Sequence, residues 1–168
     1  MRKERSRDYS TAAFQLHAQT GGHEVYAKRL HEQLIREAAE YKQPSETGIG
    51  AGAADPMAAA DARYQRLWAE HAAELADLLA VTETIEWLER LNLGDHIKAM
   101  RRVYLTDPWA ELDGEEIRER VHAAEIAIPA SVRSIYYWLS DCRAIFAWRR
   151  GLILSDGQTR ALRRLHLL

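Results

Sequence analysis

With 168 residues, 47% of them hydrophobic and 29% charged, the chain is long enough for one core with an appended element and is not composed like a disordered segment. Its single cysteine, Cys142, excludes an intramolecular disulfide, and no Cys/His cluster has zinc-ligand spacing. The formal net charge of -2 conceals a segregation. Nine acids between Asp55 and Asp95 (Asp55, Asp61, Glu70, Glu74, Asp77, Glu83, Glu86, Glu89, Asp95) face only Arg63, Arg66 and Arg90, whereas from Ser131 onward Arg133, Arg143, Arg149, Arg150, Arg160, Arg163 and Arg164 face only Asp141 and Asp156.

Apolar residues recur at spacings of three and four almost throughout, which predicts an all-α fold. The basic start MRKERSRDYS is followed by no apolar core of signal-peptide length, and no run of about 18 apolar residues occurs, so a cytoplasmic chain with no membrane contact is expected. Ser10 or Thr11 can cap a short helix ending at Gly21-Gly22, and Ala27, Leu30, Leu34, Ala38 and Tyr41 form one stripe of a second helix. Residues 43–56, QPSETGIGAGAADP, read as a flexible linker and divide the chain. Residues 57–92 then run without Pro or Gly and carry Tyr64, Leu67, Trp68, His71, Leu75, Leu78, Thr82, Ile85 and Leu88 at near-heptad spacing, which predicts one long acidic helix with a bend near 81–84.

Residues 95–168 are expected to form a C-terminal unit. Leu93-Gly94 stops the long helix, Asp95 caps HIKAMRRVYL with Ile97, Met100, Val103 and Tyr104 facing inward, and Asp113 with Glu116 starts a helix through Ile117, Val121 and Ala124. Val121 lies ten residues before Ser131, so either this helix runs on through Ile126 or the turn after it is extended. Ser131 caps the next helix and Pro129 fixes the turn entering it; Ser155 with Gln158 caps the last. The expected layout is an N-terminal helical hairpin (1–42), the linker, the long helix (57–92) and a trihelical helix-turn-helix unit with a C-terminal helix (95–168).

Enzymatic signatures are missing: the sequence has no phosphate-binding Gly loop, nucleophile elbow, HExxH or EF-hand loop, so an enzyme, a metal site and a cofactor are not expected. His71, on the apolar stripe, reads as a hydrogen-bonded core histidine, and Cys142, on an apolar face, as an inert thiol. The helix after Ser131 differs. Val132, Ile135, Leu139, Cys142 and Phe146 make its buried stripe, which leaves Arg133, Ser134, Tyr137, Ser140 and Asp141 outward. An arginine at the start of such a helix can fork onto guanine, Ser and Tyr hydroxyls can bind phosphates or base edges, and first-turn N–H groups favour an anion. Ser131, Arg133, Ser134, Tyr137, Arg143, Arg149 and Arg150 are therefore the candidate DNA-binding residues.

RSRDYSTAAFQLHAQTGG, AMRRVYLTDP and IRERVHAAEIAIPASVRSIYYWLSDCRAIFAWRRGL together resemble a group of small uncharacterised proteins of phages and prophages of Gram-positive gut bacteria, over most of the chain. The C-terminal part is similar in layout to region 4 of sigma factors and to phage late-gene regulators, in which the corresponding helix enters the major groove. The resemblance implies a nucleoid-associated transcriptional regulator with double-stranded DNA, and RNA polymerase, as partners. A non-enzymatic helical scaffold, or a packaging accessory like a small terminase subunit, is the alternative. The stripe of Tyr64, Trp68, Leu75, Leu78 and Ile85 exceeds what a compact C-terminal unit can cover, so a homodimer through it is expected.

Overall fold

The computed structural model describes residues 2–40 and 55–168, with side chains from Tyr9 onward in the first helix. Every regular element among them is a helix: α1 (Arg2–Thr20), α2 (His23–Glu40), α3 (Pro56–Glu70), α4 (Ala72–Arg90), α5 (Gly94–Met100) continuing as a π-helical turn (Arg101–Leu105), α6 (Gly114–Ala127), α7 (Val132–Arg150) and α8 (Asp156–Arg164). The all-α expectation is met. Most of the 43–56 linker, and Tyr41 of the α2 stripe, lie outside the described residues. The linker's end is described: the Asp55 carboxylate accepts from the Met57 amide, with Pro56 opening α3.

Side-chain caps set several boundaries as the sequence predicts. Asp113 accepts from the Glu116 amide at 2.8 Å, Ser131 from the Ser134 amide at 3.2 Å, and Ser155 and Gln158 make a reciprocal capping box. Other boundaries differ. Helix α1 begins at Arg2, so Ser10 is not a cap but an interior residue, 1% exposed. Helix α4 ends at Arg90, short of Leu93-Gly94: beyond the cap residue Leu91, Asn92 takes φ +57° and the Leu93 amide reaches back to the Leu88 carbonyl at 2.9 Å, which satisfies a terminal carbonyl. Asp95 therefore lies inside the first turn of α5, where it meets Lys98 at 3.4 Å.

The long helix is interrupted at His71, not near 81–84. His71 leaves helical geometry (φ -99°, ψ 7°), ending α3 and opening α4. The break lets the two halves bury their stripes in different places. Tyr64, Leu67 and Trp68 of α3, with Leu75 of α4, pack on Leu30 and Leu34 of α2. Ala80, Val81 and Leu88 join the main core, and Leu78 is fully buried. The dimerisation stripe is thus intramolecular: Leu75 and Leu78 are buried, and Tyr64, Trp68 and Ile85 are partly buried against their own chain. This removes the exposed apolar surface from which self-association was expected.

Helix α7 is the axis of the main core. Ile135, Leu139 and Phe146 are fully buried, as the stripe predicts, among residues of α1, α4, α5, α6 and α8. The cover comes from more than α5 and α6: Phe14 of α1 meets Phe146 edge-on at 5.4 Å and Tyr104 at 5.1 Å. The second half of α4 and residues 95–168 consequently share one core. The π-helical turn brings Val103 and Tyr104, both buried, onto α1 and α6. The freed carbonyls and the following loop are tied by side chains: Arg120 donates to the carbonyls of Val103 (3.0 Å) and Thr106, and Gln15 and Gln19 to those of Ala110 and Pro108 (both 2.7 Å).

Between α1 and α2 the Nδ1 of His17 is buried with no hydrogen-bond partner among the described residues, and burial lowers the pKa of this ring from its ordinary 6.5. The folded state therefore binds the proton less well than the unfolded chain. The neutral ring is tolerated above 6.5, and stability is lost as pH falls from 6.5 through the lowered folded value. Melting temperatures measured between pH 7.5 and 5.5 are expected to fall more steeply for the parent chain than for His17→Phe; equal slopes would contradict the assignment.

Candidate functional site

Helix α6 runs on through Ala127, and only residues 128–131 separate it from α7. Ile128, 1% exposed, anchors this turn in the core, and Ser131 caps the helix it leads into. The turn is therefore fixed at both ends, and the start of α7 is presented in one orientation.

Along the first half of α7 one face is left uncovered. Arg133, Tyr136, Tyr137 and Ser140 are all exposed, at spacings i, i+3, i+4 and i+7, and every one carries a hydrogen-bonding group. Ser134 is half-buried, its hydroxyl 3.0 Å from that of Ser131. Ser131, Arg133, Ser134 and Tyr137 are thus brought together at one end of one helix.

The other three candidates are not. Arg133 and Arg150 are separated by about 25 Å along the helix. Arg143 is half-buried and donates to the Tyr104 hydroxyl at 2.6 Å. Arg149 pairs with Glu83 at 2.7 Å and Arg150 with Asp77 at 2.6 Å, and both guanidinium pKa values are raised, first by those hydrogen bonds. Asp77 also accepts from the Tyr9 hydroxyl at 2.6 Å, joining α1, α4 and α7 at one carboxylate oxygen. Two arginines of the basic C-terminal part are therefore paired with acids of the middle, and Arg143, Arg149 and Arg150 all make ties within the chain instead of joining the exposed start of α7. Arg149→Ala and Arg150→Ala are each expected to cost about 1 kcal/mol of folding stability and to leave affinity for duplex DNA within about twofold, because both lie about 24 Å or more along α7 from Arg133; denaturant melts and DNA titrations read the two effects separately. A DNA-binding loss as large as that of an Arg133 variant would contradict this.

Asp141 is the other correction. Expected to point outward, it is 3% exposed and accepts from His96 Nε2 at 3.0 Å and from Arg164 Nη2. His96, itself 7% exposed, stacks on Trp138 with ring centres 5.5 Å apart. Arg164, from the last turn of α8, lies over the Tyr137 ring, 4.4 Å from its centroid, and donates to its hydroxyl. Sequence reasoning assigned Arg164 no role, and the arginine bias after Ser131 was the one signal that pointed to it. Only the return of α8 onto α7 brings it to the exposed face.

Cys142 behaves as expected of an inert thiol: it is fully buried, and burial pushes its pKa up to about 12. His71 is not the buried core histidine expected. Its side chain is 34% exposed, with Nδ1 3.3 Å from the Tyr26 hydroxyl and 3.4 Å from Glu74. Tyr26 also donates to Glu74; burial first, and this bond second, raise the Tyr26 pKa to about 12, while the bond lowers that of Glu74. No group of three or more His, Cys, Asp or Glu with metal-binding geometry occurs among the described residues, and no described helix is long and apolar enough to cross a membrane. Compared with family models, with curated proteins and with solved structures, the chain matches none.

Proposed function

We propose that this chain is a double-stranded DNA-binding protein of helix-turn-helix type, with α6 as the supporting helix and the first half of α7 as the helix that enters the major groove. The observation that carries the reading is the single exposed stripe of Arg133, Tyr136, Tyr137 and Ser140, directly after a four-residue turn anchored by Ile128 and capped by Ser131. A recognition helix contacts base edges through its N-terminal residues while its other face is held by the domain core. That division of labour suits α7, whose second half is almost wholly covered. Arg133 is the group for a guanine edge, and the Tyr and Ser hydroxyls serve phosphates or base edges.

Within this reading the protein is a transcriptional regulator of the phage type, akin in layout to sigma region 4, with RNA polymerase as a second partner. Dimerisation through the α3–α4 stripe is not part of the proposal, because that stripe is covered within the chain. A non-enzymatic scaffold or packaging accessory is the second reading, and the observation favouring it is the internal use of Arg143, Arg149 and Arg150.

Titration of a labelled random duplex at 50 and 200 mM salt separates the two. DNA binding predicts affinity that falls with salt, with a slope of about -0.9 in log K against log salt for each phosphate contacted. No binding at 50 mM would contradict the proposal and favour the scaffold.

A further inference from the structure

Among the described residues Asp141 is the only buried carboxylate, and its two oxygens are divided between two helices: Oδ2 receives His96 of α5 and Oδ1 receives Arg164 of α8. The Asp141 side chain is 5% exposed whereas that of Arg164 is 43% exposed, so the pair is buried at one end and open at the other. A buried ion pair is not required for stability, since apolar replacements of similar volume are often as stable; what it supplies is a fixed direction for the guanidinium. That direction is set twice, by the Asp141 carboxylate and by the Tyr137 ring and hydroxyl. Of the five N–H donors of a guanidinium, these bonds engage two, and with the side chain 43% exposed, donors remain for a group from outside the chain. Tyr137 in turn stands one helical turn, about 6 Å of axis, from Arg133. Two arginines therefore flank one exposed tyrosine, one on α7 and one on α8.

We propose that Arg164 is a phosphodiester-binding group at the edge of the exposed α7 stripe, with Asp141 and His96 as the residues that position it. The inference rests on the DNA-binding reading and extends its site to α8. A guanidinium held in plane by a carboxylate behind it offers a phosphate oxygen preorganised donors, where a freely rotating side chain would have to be ordered on binding. His96, by donating to the second oxygen, fixes the carboxylate at the oxygen Arg164 does not use and is itself fixed by stacking on Trp138.

The test is salt-dependent binding of a random duplex by the full chain and by Arg164→Gln, Arg164→Lys and Asp141→Asn. Arg164→Gln is expected to lower the magnitude of the salt slope by about 0.9, so that a fourfold rise in salt costs about 3.5-fold less affinity than it costs the parent. Arg164→Lys should keep the slope and bind several-fold more weakly, because a point charge cannot span Tyr137 and Asp141. Asp141→Asn should also keep the slope and bind more weakly, since the cation survives but its anchor does not. Where Arg164→Gln leaves Asp141 buried without its cation and the variant does not fold, Asp141→Asn combined with Arg164→Gln removes both charges and carries the same slope prediction. A folded variant lacking Arg164 that keeps the parent slope and affinity would overturn the inference and reduce the cluster to a structural ion pair, while leaving the DNA-binding reading intact. Absence of salt-dependent binding by the parent chain would overturn both.

Discussion

A chain carrying Leu78→Asp is expected to fail to fold rather than to lose a partner. Leu78 is fully buried within α4. The substitution removes a packed aliphatic side chain and sets a carboxylate in its place, and breaking core packing in this way costs about 2–5 kcal/mol before any charge is desolvated. Domains of this size have about 5–15 kcal/mol in total. The same substitution at Leu75, 8% exposed at the junction with α2, should be milder because its carboxylate can reach water. Circular dichroism with size-exclusion light scattering decides between the alternatives. Loss of helical signal supports an intramolecular stripe; a variant that stays helical and halves in mass would restore the stripe as an interface.

Arg133→Ala is expected to weaken binding to a preferred duplex site by about 1–3 kcal/mol, roughly 5- to 150-fold, if its guanidinium forks onto a guanine. Arg133 is exposed and has no place in either hydrophobic cluster, so the melting temperature should stay close to that of the parent. Selection of duplex sites from a random pool, followed by competition between selected and random duplex, measures the effect. Equal loss on both duplexes would make Arg133 a phosphate contact, and no loss would remove the first half of α7 from the interface.

What the sequence made legible was local. Caps at Asp113, Ser131 and Ser155 depend on side chains three residues from the amides they bind, and the buried face of α7 follows from a period that any helix obeys. What it hid was pairing between distant segments. The arginines at the end of α7 are used by acids of α4 some 66 and 73 residues away, so part of a charge asymmetry that read as a DNA-facing surface is internal complementarity. Asp141 fell on the polar side of the helical wheel, yet α5 and α8 close over that side and supply His96 and Arg164. The break at His71 has no Gly or Pro to announce it. It follows from two apolar patches that need different partners, Leu30 and Leu34 of α2 on one side and the α7 core on the other.

The central claim, that duplex DNA is held by the start of α7, is tested most directly by mapping amide shifts of the isotope-labelled chain as duplex DNA is added at low salt. The account predicts perturbations concentrated at residues 131–140 and at the end of α8 around Arg164, with α2 and α3 unchanged, and their reversal as salt is raised. Perturbations centred on α2 and α3, or none at either end of the titration, would contradict it.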